Sequence, residues 1–255
     1  MIPEDRREKI LLLLRQLGAV KVSDLSRDFQ VSELTVRRDL DLMESKGLLE
    51  RSHGGALLRQ ALPTEPSYRE KEKHLIREKQ AIARAAVDLV EDGDTVFINS
   101  GSTNLQVLRL LSSRRVRVIT SHAGGLSELN PTEMELLLVG GFYRPQSHSL
   151  VGSFAHEAIR RSFAQKAIIG VDGVSQTKGL TTPNEQEAEV TRLMVEHTMG
   201  PVIVVADHTK MGVVSNFLSL PLERADVLVT DRKTADLVDE EMLHSLGLEL
   251  MFVDP

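Results

Sequence analysis

The stretch Asn99-Ser100-Gly101-Ser102-Thr103-Asn104 gathers hydroxyls, amides and a glycine after the apolar run "TVFIN" at 95–99 and ahead of a helix-like segment. Small polar residues at a helix N-terminus offer a phosphate backbone N–H groups, hydroxyls and a favourable dipole. The commoner role of a serine or threonine there is a plain helix cap, so the stretch alone decides nothing. Other apolar runs end in residues of similar chemistry: Thr120-Ser121-His122, Gly140-Gly141, Asp172-Gly173 and Asp207-His208-Thr209-Lys210. Such ends, brought together, would form a pocket for a phosphorylated sugar. His122, His148, His156 and His208 lack a ligand spacing such as HExxH. Hydrogen-bonded or surface histidines are expected from them rather than a metal site, and no cofactor is implied. There is no nucleophile elbow or Walker-type loop, and "GGFYRPQ" is not a dinucleotide fingerprint.

A second chemistry lies near the start, in "LTVRRDLDLME", Leu34 to Glu44. Arg37 and Arg38 have two readings. Spacings of i, i+4 and i, i+3 to Asp41 suit a solvated salt-bridge face. Alternatively, an arginine grips guanine O6/N7 or a phosphate, with Thr35 suited to either contact. Ser32, Thr35, Arg37 and Arg38 fall early in the helix, while Asp41 and Glu44 fall late. Leu34 is an apolar side chain opposite the buried stripe. It is either a scattered surface leucine or a contact for a thymine methyl.

The elements that must position these residues follow from periodicity. Ile10, Leu13, Leu14 and Leu17 mark one face of a first helix, stopped by Gly18. Ser23 to Phe29 reads as a second helix with Leu25 and Phe29 inward. Ser32 is then the N-cap of a third helix to about Lys46, with Val36, Leu40 and Met43 buried and Gly47 as its stop. "LLERSHGGALL" reads as a β-hairpin turning at His53-Gly54-Gly55. Three helices and a hairpin make a winged helix-turn-helix, whose third helix enters the DNA major groove and whose hairpin touches the backbone.

Residues 59–74, with Pro63, Pro66 and the charged run "YREKEKH", read as an exposed connector. A helix follows from Ile76, with Ile82, Ala83, Ala86, Leu89 and Val90 as buried candidates. Val/Ile/Leu runs then recur at 95–99, 116–121, 135–140, 166–172, 201–207, 226–231 and 248–253, separated by helical segments. That alternation indicates a Rossmann-like, mostly parallel α/β sheet covered on both faces. The expected organisation is a DNA-binding domain at 1–58, a connector at 59–74 and a sensing domain at 75–255.

Bulk properties bound the partners. Hydrophobic content of 41% and charged content of 27% suit a soluble globular protein. "ILLLL" at 10–14 is too short for a membrane span or a signal-peptide core. The absence of cysteine excludes disulfides and thiolate metal sites and fits a cytoplasmic location. The net charge of −6 disfavours nonspecific nucleic-acid binding by the whole molecule. It is unevenly shared: residues 1–62 carry 11 Lys+Arg against 10 Asp+Glu, and the remainder 20 against 27.

"FQVSELTVRRDLDLMESKGLLERSHGGA", Phe29 to Ala56, resembles the N-terminal domain of DeoR-type bacterial transcription regulators. The resemblance implies that Ser32, Thr35, Arg37, Arg38 and the wing around Arg51, His53 and Gly54 contact operator DNA. The body is similar to the sensor domain of the same regulators, which itself resembles ribose-5-phosphate isomerase. That likeness implies that Lys79, Gly101, Ser102 and Thr103 form a phosphate site flanked by Ser100 and Asn104. Asp172-Gly173 matches the start of the enzyme's Asp-Gly-Ala-Asp, Asp207 to Lys210 its Asp-x-x-Lys, and Glu187 aligns with its general base. Ser175 stands where the enzyme has a second aspartate, and its glycine-rich segment is reduced to Lys178-Gly179-Leu180-Thr181. An isomerase needs its base and orienting acids together. The expectation is therefore a regulator rather than an enzyme, with a repressor as the expected mode. Its expected partners are double-stranded operator DNA, a phosphorylated-sugar effector and a second copy of itself, as a homodimer or homotetramer.

Overall fold

A computed structural model describes every residue except Met1, Gly18, Gly47, His53, 59–64, 125–128 and Asn130. The expected helix stops Gly18 and Gly47, the Leu17 side chain and His53 therefore lie outside the described residues. The chain divides into two compact units, 1–62 and 63–255.

Unit 1 runs α1 (Pro3–Leu17), β1 (Ala19–Lys21), α2 (Val22–Phe29), α3 (Glu33–Ser45), β2 (Leu49–Ser52) and β3 (Gly55–Leu58). Gln30 turns α2 into α3 with φ +54°, and Ser26 caps that turn by donating to Val31 O at 2.6 Å. Ser32 is the N-cap of α3, its hydroxyl accepting from Thr35 N–H at 3.2 Å. Val36, Leu40 and Met43 are buried, as their spacing requires, against Ile10, Leu14, Val22 and Leu25. Leu12 is buried too, whereas Leu13 and Phe29 are only partly so.

One charged residue lies in the same stripe. Asp39, three residues beyond Val36, is 5% exposed and accepts a hydrogen bond from Arg6 Nε of α1 at 2.5 Å. The hairpin has a third strand, because β1 pairs antiparallel with β3 to give the order β1-β3-β2. Gly55 permits this pairing: a Cβ there would lie 1.9 Å from Val20 O.

Unit 2 opens with α4 (Tyr68–Lys73) and α5 (Ile76–Asp88), then β4 (Thr95–Ile98), α6 (Ser102–Leu111), β5 (Arg117–Thr120) and β6 (Glu135–Leu138). A hairpin of β7 (Phe142–Arg144) and β8 (Ser149–Val151) leads to α7 (Ser153–Arg160) and β9 (Lys166–Gly170). After β10 (Gly173–Ser175) and β11 (Gly179–Thr182) come α8 (Glu185–Glu196), β12 (Val202–Val205) and β13 (Phe217–Leu220). β14 (Val227–Asp231), α9 (Glu240–Ser245) and β15 (Glu249–Val253) complete it.

Seven strands form a parallel sheet in the order β15-β14-β12-β9-β4-β5-β6. Both faces of the five central strands are buried, which explains their unbroken Val/Ile/Leu runs, while the edge strands β6 and β15 are partly exposed. Val96 and Ile98 pack with Ile82, Leu105 and Leu108 on one side. Phe97, Ala167 and Ile169 pack with Ala155, Ile159, Val190 and Met194 on the other. From β4 the chain winds outward through β5 and β6, then returns to place β9 on the opposite flank. The order therefore reverses between β4 and β9, where parallel sheets open a crevice beyond their strand ends.

The second half of the expected connector departs from its sequence reading. Residues 68–73 are the helix α4, started by a capping box between Ser67 and Glu70, with Tyr68 only 3% exposed. The run looked solvated because it is nearly all charge. One aromatic and one lysine, Tyr68 and Lys71, are enough to seat it on unit 2.

Candidate functional site

In unit 1, α3 presents Leu34, Arg37, Arg38 and Asp41 on the face opposite its buried stripe, and Leu34 is 59% exposed. Arg37 does not pair with Asp41. It donates backward to Glu33 at 3.1 Å, where both side chains are more than half exposed. Such a pair is worth about 0.5 kcal/mol or less, so a phosphate or a base edge can displace it. Arg38 has no ion-pair partner among the described residues. Asp41 instead binds Arg51 at 3.1 Å. Arg51 also donates through Nη1 to Gly55 O at 2.7 Å, and its N–H to Glu44 at 3.0 Å. The bonds to Asp41 and Glu44 brace the wing against the late half of α3, and the one to Gly55 ties the wing's own two strands. The acidic residues that dilute the sequence's positive charge are spent on this brace, while Arg37 and Arg38 stay available. Gly54 sits at the wing tip with φ +113°, and its carbonyl accepts from Val22 N–H at 2.9 Å.

In unit 2 the crevice at the β4/β9 reversal is an open cleft. It brings together Lys79, Ser100, Gly101, Ser102, Thr103, Ser121, Asp172, Glu187 and Lys210, as the strand ends suggested. Tyr68, Lys71, Asn99, Ser147, Ser149, Thr182 and Asp207 line it as well.

The anion end is the start of α6. Its N-cap is Gly101, which has no side chain to close it. Leu105 is the first residue whose N–H finds a helical acceptor, Gly101 O at 3.0 Å, so the N–H groups of Ser102, Thr103 and Asn104 remain open. The Ser102 and Thr103 hydroxyls likewise have no partner among the described residues. A serine acting only as a cap would not leave the terminus in this state.

Lys79 is buried beside it and donates to the carbonyls of Lys71 and, at 2.6 Å, His74. Burial lowers its pKa to about 8, Lys210 and Lys71 adding to the shift and Asp207 opposing it, so it remains mostly charged at pH 7. Lys210, from the turn after β12, forms no ion pair among the described residues.

The hydroxyl end is acidic. Asp172 follows β9 and accepts from Lys71 Nζ at 2.6 Å and from Thr182 at 3.2 Å. Burial alone would raise its pKa, but Lys71 and Lys210 outweigh that and hold it below the ordinary carboxylate range. Ser147, Ser149 (2.7 Å) and Arg144 (3.2 Å) all donate to Oε1 of Glu187.

Three expected ligand residues do not line the cleft. Asn104 is fully buried and donates to Asn99 Oδ1 at 2.7 Å. Asn99 in turn ties β4 to Gly170 and Thr191. His122 is buried behind the loop, Nδ1 facing Gly101 N–H at 3.5 Å and Nε2 near the Tyr68 hydroxyl at 3.4 Å. Burial, with His148 adding, lowers its pKa to about 4, which keeps it neutral. Gly141 serves the β7–β8 hairpin, where a Cβ would meet Val151 O at 2.4 Å. Ser175 accepts from Lys178 N–H at 3.2 Å and pins the β10–β11 turn. His208 bonds Asp231 at 2.9 Å and steadies the turn that carries Lys210. Among the described residues no group of acidic or histidine side chains is arranged to hold a metal.

A helix-turn-helix with exposed arginines on its third helix, joined to an α/β unit with a polar cleft, defines a ligand-responsive DNA-binding regulator. Residues 6–61 match the DeoR-like helix-turn-helix domain, and residues 75–232 match the DeoR C terminal sensor domain. The chain belongs to the DeoR family and is a transcriptional regulator, as its relatives are, and not an enzyme.

It is 34% identical to the HTH-type transcriptional regulator GlpR of Haloferax volcanii, covering 98% of each chain. It is 34% identical to the lactose phosphotransferase system repressor of Lactococcus lactis, over 89% of this chain and 91% of that one. The HTH-type transcriptional repressor GlcR of Bacillus subtilis is 32% identical, over 100% of this chain and 98% of that one. Solved structures are more distant. Ribose 5-phosphate isomerase a from Methanocaldococcus jannaschii matches 52% of each chain at 19% identity with a TM-score of 0.37.

Proposed function

We propose that the chain represses a carbohydrate-utilisation operon, holding its operator through unit 1 and releasing it when a phosphorylated sugar fills the cleft of unit 2. The uncapped start of α6, with Lys79 and Lys210 across the same cleft, carries the ligand half of this reading. It suits a phosphate, and Asp172 and Thr182 on the facing wall suit sugar hydroxyls. For the DNA half, the N-terminal end of α3 delivers Thr35, Arg37 and Arg38 to the major groove. Ser32 and the wing tip at Gly54 approach the backbone. Leu34 is exposed on the same face, where a thymine methyl is its natural contact.

The operator is expected to be a repeated half-site read by a homodimer or homotetramer in the cytoplasm. Binding linkage then requires operator DNA to weaken sugar-phosphate binding by the same factor that the sugar phosphate weakens operator binding. The test measures promoter-DNA binding of the full chain with Ser102→Ala or Lys79→Ala. Both variants should bind DNA like the wild type but need about tenfold more sugar phosphate for release, the loss of one charge-assisted hydrogen bond. Release at the wild-type concentration would place the phosphate elsewhere.

A further inference from the structure

The segment 65–74 is held in place largely by residues of the cleft itself. Lys71 reaches from α4 to Asp172 at 2.6 Å, spanning 101 residues of sequence. Lys79 donates to two carbonyls at the C-terminal end of the segment, those of Lys71 and His74. Arg144 joins Glu65 at the N-terminal end to Glu187 in the cleft wall. Other ties do not involve the cleft's charges: Tyr68 stacks on His148 with ring centroids 4.3 Å apart, its N–H donates to Gln146 O at 2.9 Å, Gln146 Nε2 donates to Glu65 O at 2.9 Å, and Glu72 pairs with Arg109 at 4.0 Å. The segment is therefore a strap, anchored through Tyr68 and latched by Lys71 and Lys79. It is also the first part of unit 2 that the chain forms after leaving unit 1.

We propose that Lys71 is a ligand-binding residue and that its pairing with Asp172 is a latch that ligand binding opens. A phosphorylated sugar would take Lys71 and Lys79 onto its phosphate while its hydroxyls replace Lys71 on Asp172, freeing the C-terminal half of α4. This rests on the sugar-phosphate reading of the cleft and adds how occupancy leaves it. The exchange is balanced in hydrogen bonds. Asp172 keeps Thr182 and gains hydroxyl donors, Lys71 trades its carboxylate and Lys79 its two carbonyl acceptors for phosphate oxygens, and only those two carbonyls of the strap lose partners. Those carbonyls then turn to water, which is accessible at this end because Lys73 and His74 are exposed. Neither Lys71 nor Tyr68 stands out in sequence, since each is one residue in a run of charge.

Hydrogen–deuterium exchange of the full chain, read on peptides covering 65–75, tests this with a panel of three- to six-carbon sugar phosphates and inorganic phosphate. Calorimetry on the same samples reports which probes bind. A bound sugar phosphate should speed exchange in α4 about tenfold, the effect expected when a charge-assisted latch opens. Lys71→Met should show the faster exchange without ligand, respond less than twofold to the probe and bind it more weakly. Lys73→Met, a neighbouring exposed lysine, should behave like the wild type. A bound probe that leaves α4 exchange unchanged or slower overturns the latch alone. So does a ligand-free Lys71→Met that exchanges like the wild type, whatever the ligand. If no sugar phosphate binds the wild type, the sensor reading fails and the latch with it.

Discussion

The two units hold their functional cations in opposite ways. On α3 the arginines are exposed, and the one ion pair among them, Arg37 with Glu33, is between groups more than half in water. In the cleft the lysines are buried or nearly so, and two of the three are already bonded to protein acceptors. An exposed arginine meets DNA with little desolvation and gives up little on leaving, which suits a contact that must be reversible. A buried, pre-bonded lysine can accept an anion only by releasing something else. That release makes binding at the cleft detectable elsewhere in the chain.

The contrast breaks most visibly on the DNA side. Arg38→Ala, and Arg37→Ala separately, should each weaken operator binding by about 10- to 100-fold, the value of one base or phosphate contact. Melting temperature should stay within about 1 °C, because surface changes of this kind cost little stability. Gel-shift titrations at several salt concentrations separate the two roles. The arginine on a phosphate lowers the salt slope by about one, and the one reading a base leaves it unchanged and relaxes specificity. Unchanged affinity for both would return them to a salt-bridge face.

The opposite holds for the buried ion pair of Arg6 and Asp39 in unit 1. Asp39→Asn should cost about 3 kcal/mol, because it strips charge compensation from buried Arg6. The loss should appear in denaturant unfolding of unit 1, with cooperative melting of unit 2 unchanged. A change below about 0.5 kcal/mol would show that the pair contributes no more than a surface one.

Much of this was legible in the sequence. All seven strands of the large sheet were visible as apolar runs: the five central ones because strands buried on both faces leave no polar alternation, and the edge strands β6 and β15 because they are apolar although partly exposed. Ser32 and the Val36, Leu40, Met43 stripe were readable from capping chemistry and helical spacing. The misses have physical reasons. Asp39 lies at the right spacing for the core, but an acid there signals burial only once its partner, 33 residues away, is known. β1 is three residues long, and β10 and β11 are short and mix glycine, serine and threonine, so none of them carries an apolar signature, while β13, Phe217–Leu220, is apolar but only four residues long. Lys79 and the 100–103 loop, singled out in the sequence, line the cleft; Lys71 lines it too but gave no sequence signal, since its partner is 101 residues away.

A smaller effect concerns pH. Lys79 is held near 8, so raising pH from 7 to 9 removes its charge and should weaken sugar-phosphate binding. The loss has an upper limit of about tenfold per unit above that pKa. Because a bound phosphate favours the ammonium, binding near pH 8.5 should take up a proton. Calorimetry in buffers of different ionisation enthalpy detects this, and no uptake would mean that Lys79 does not meet the phosphate. The smallest expected change is a gain. Glu33→Ala frees Arg37 and should tighten operator binding about twofold, since an exposed pair costs a few tenths of a kcal/mol to break. A weakened affinity would show that Glu33 orients Arg37 for the groove.

The central claim is that the cleft of unit 2 controls the hold of unit 1 on DNA. Its most direct test is to titrate the full chain, bound to DNA from upstream of its own gene, with sugar phosphates while following release and product formation together. One sugar phosphate should release the DNA without being converted, and saturating DNA should weaken its binding by the same factor. A sugar phosphate that binds the cleft and leaves the DNA affinity unchanged, or one that is turned over, would contradict it.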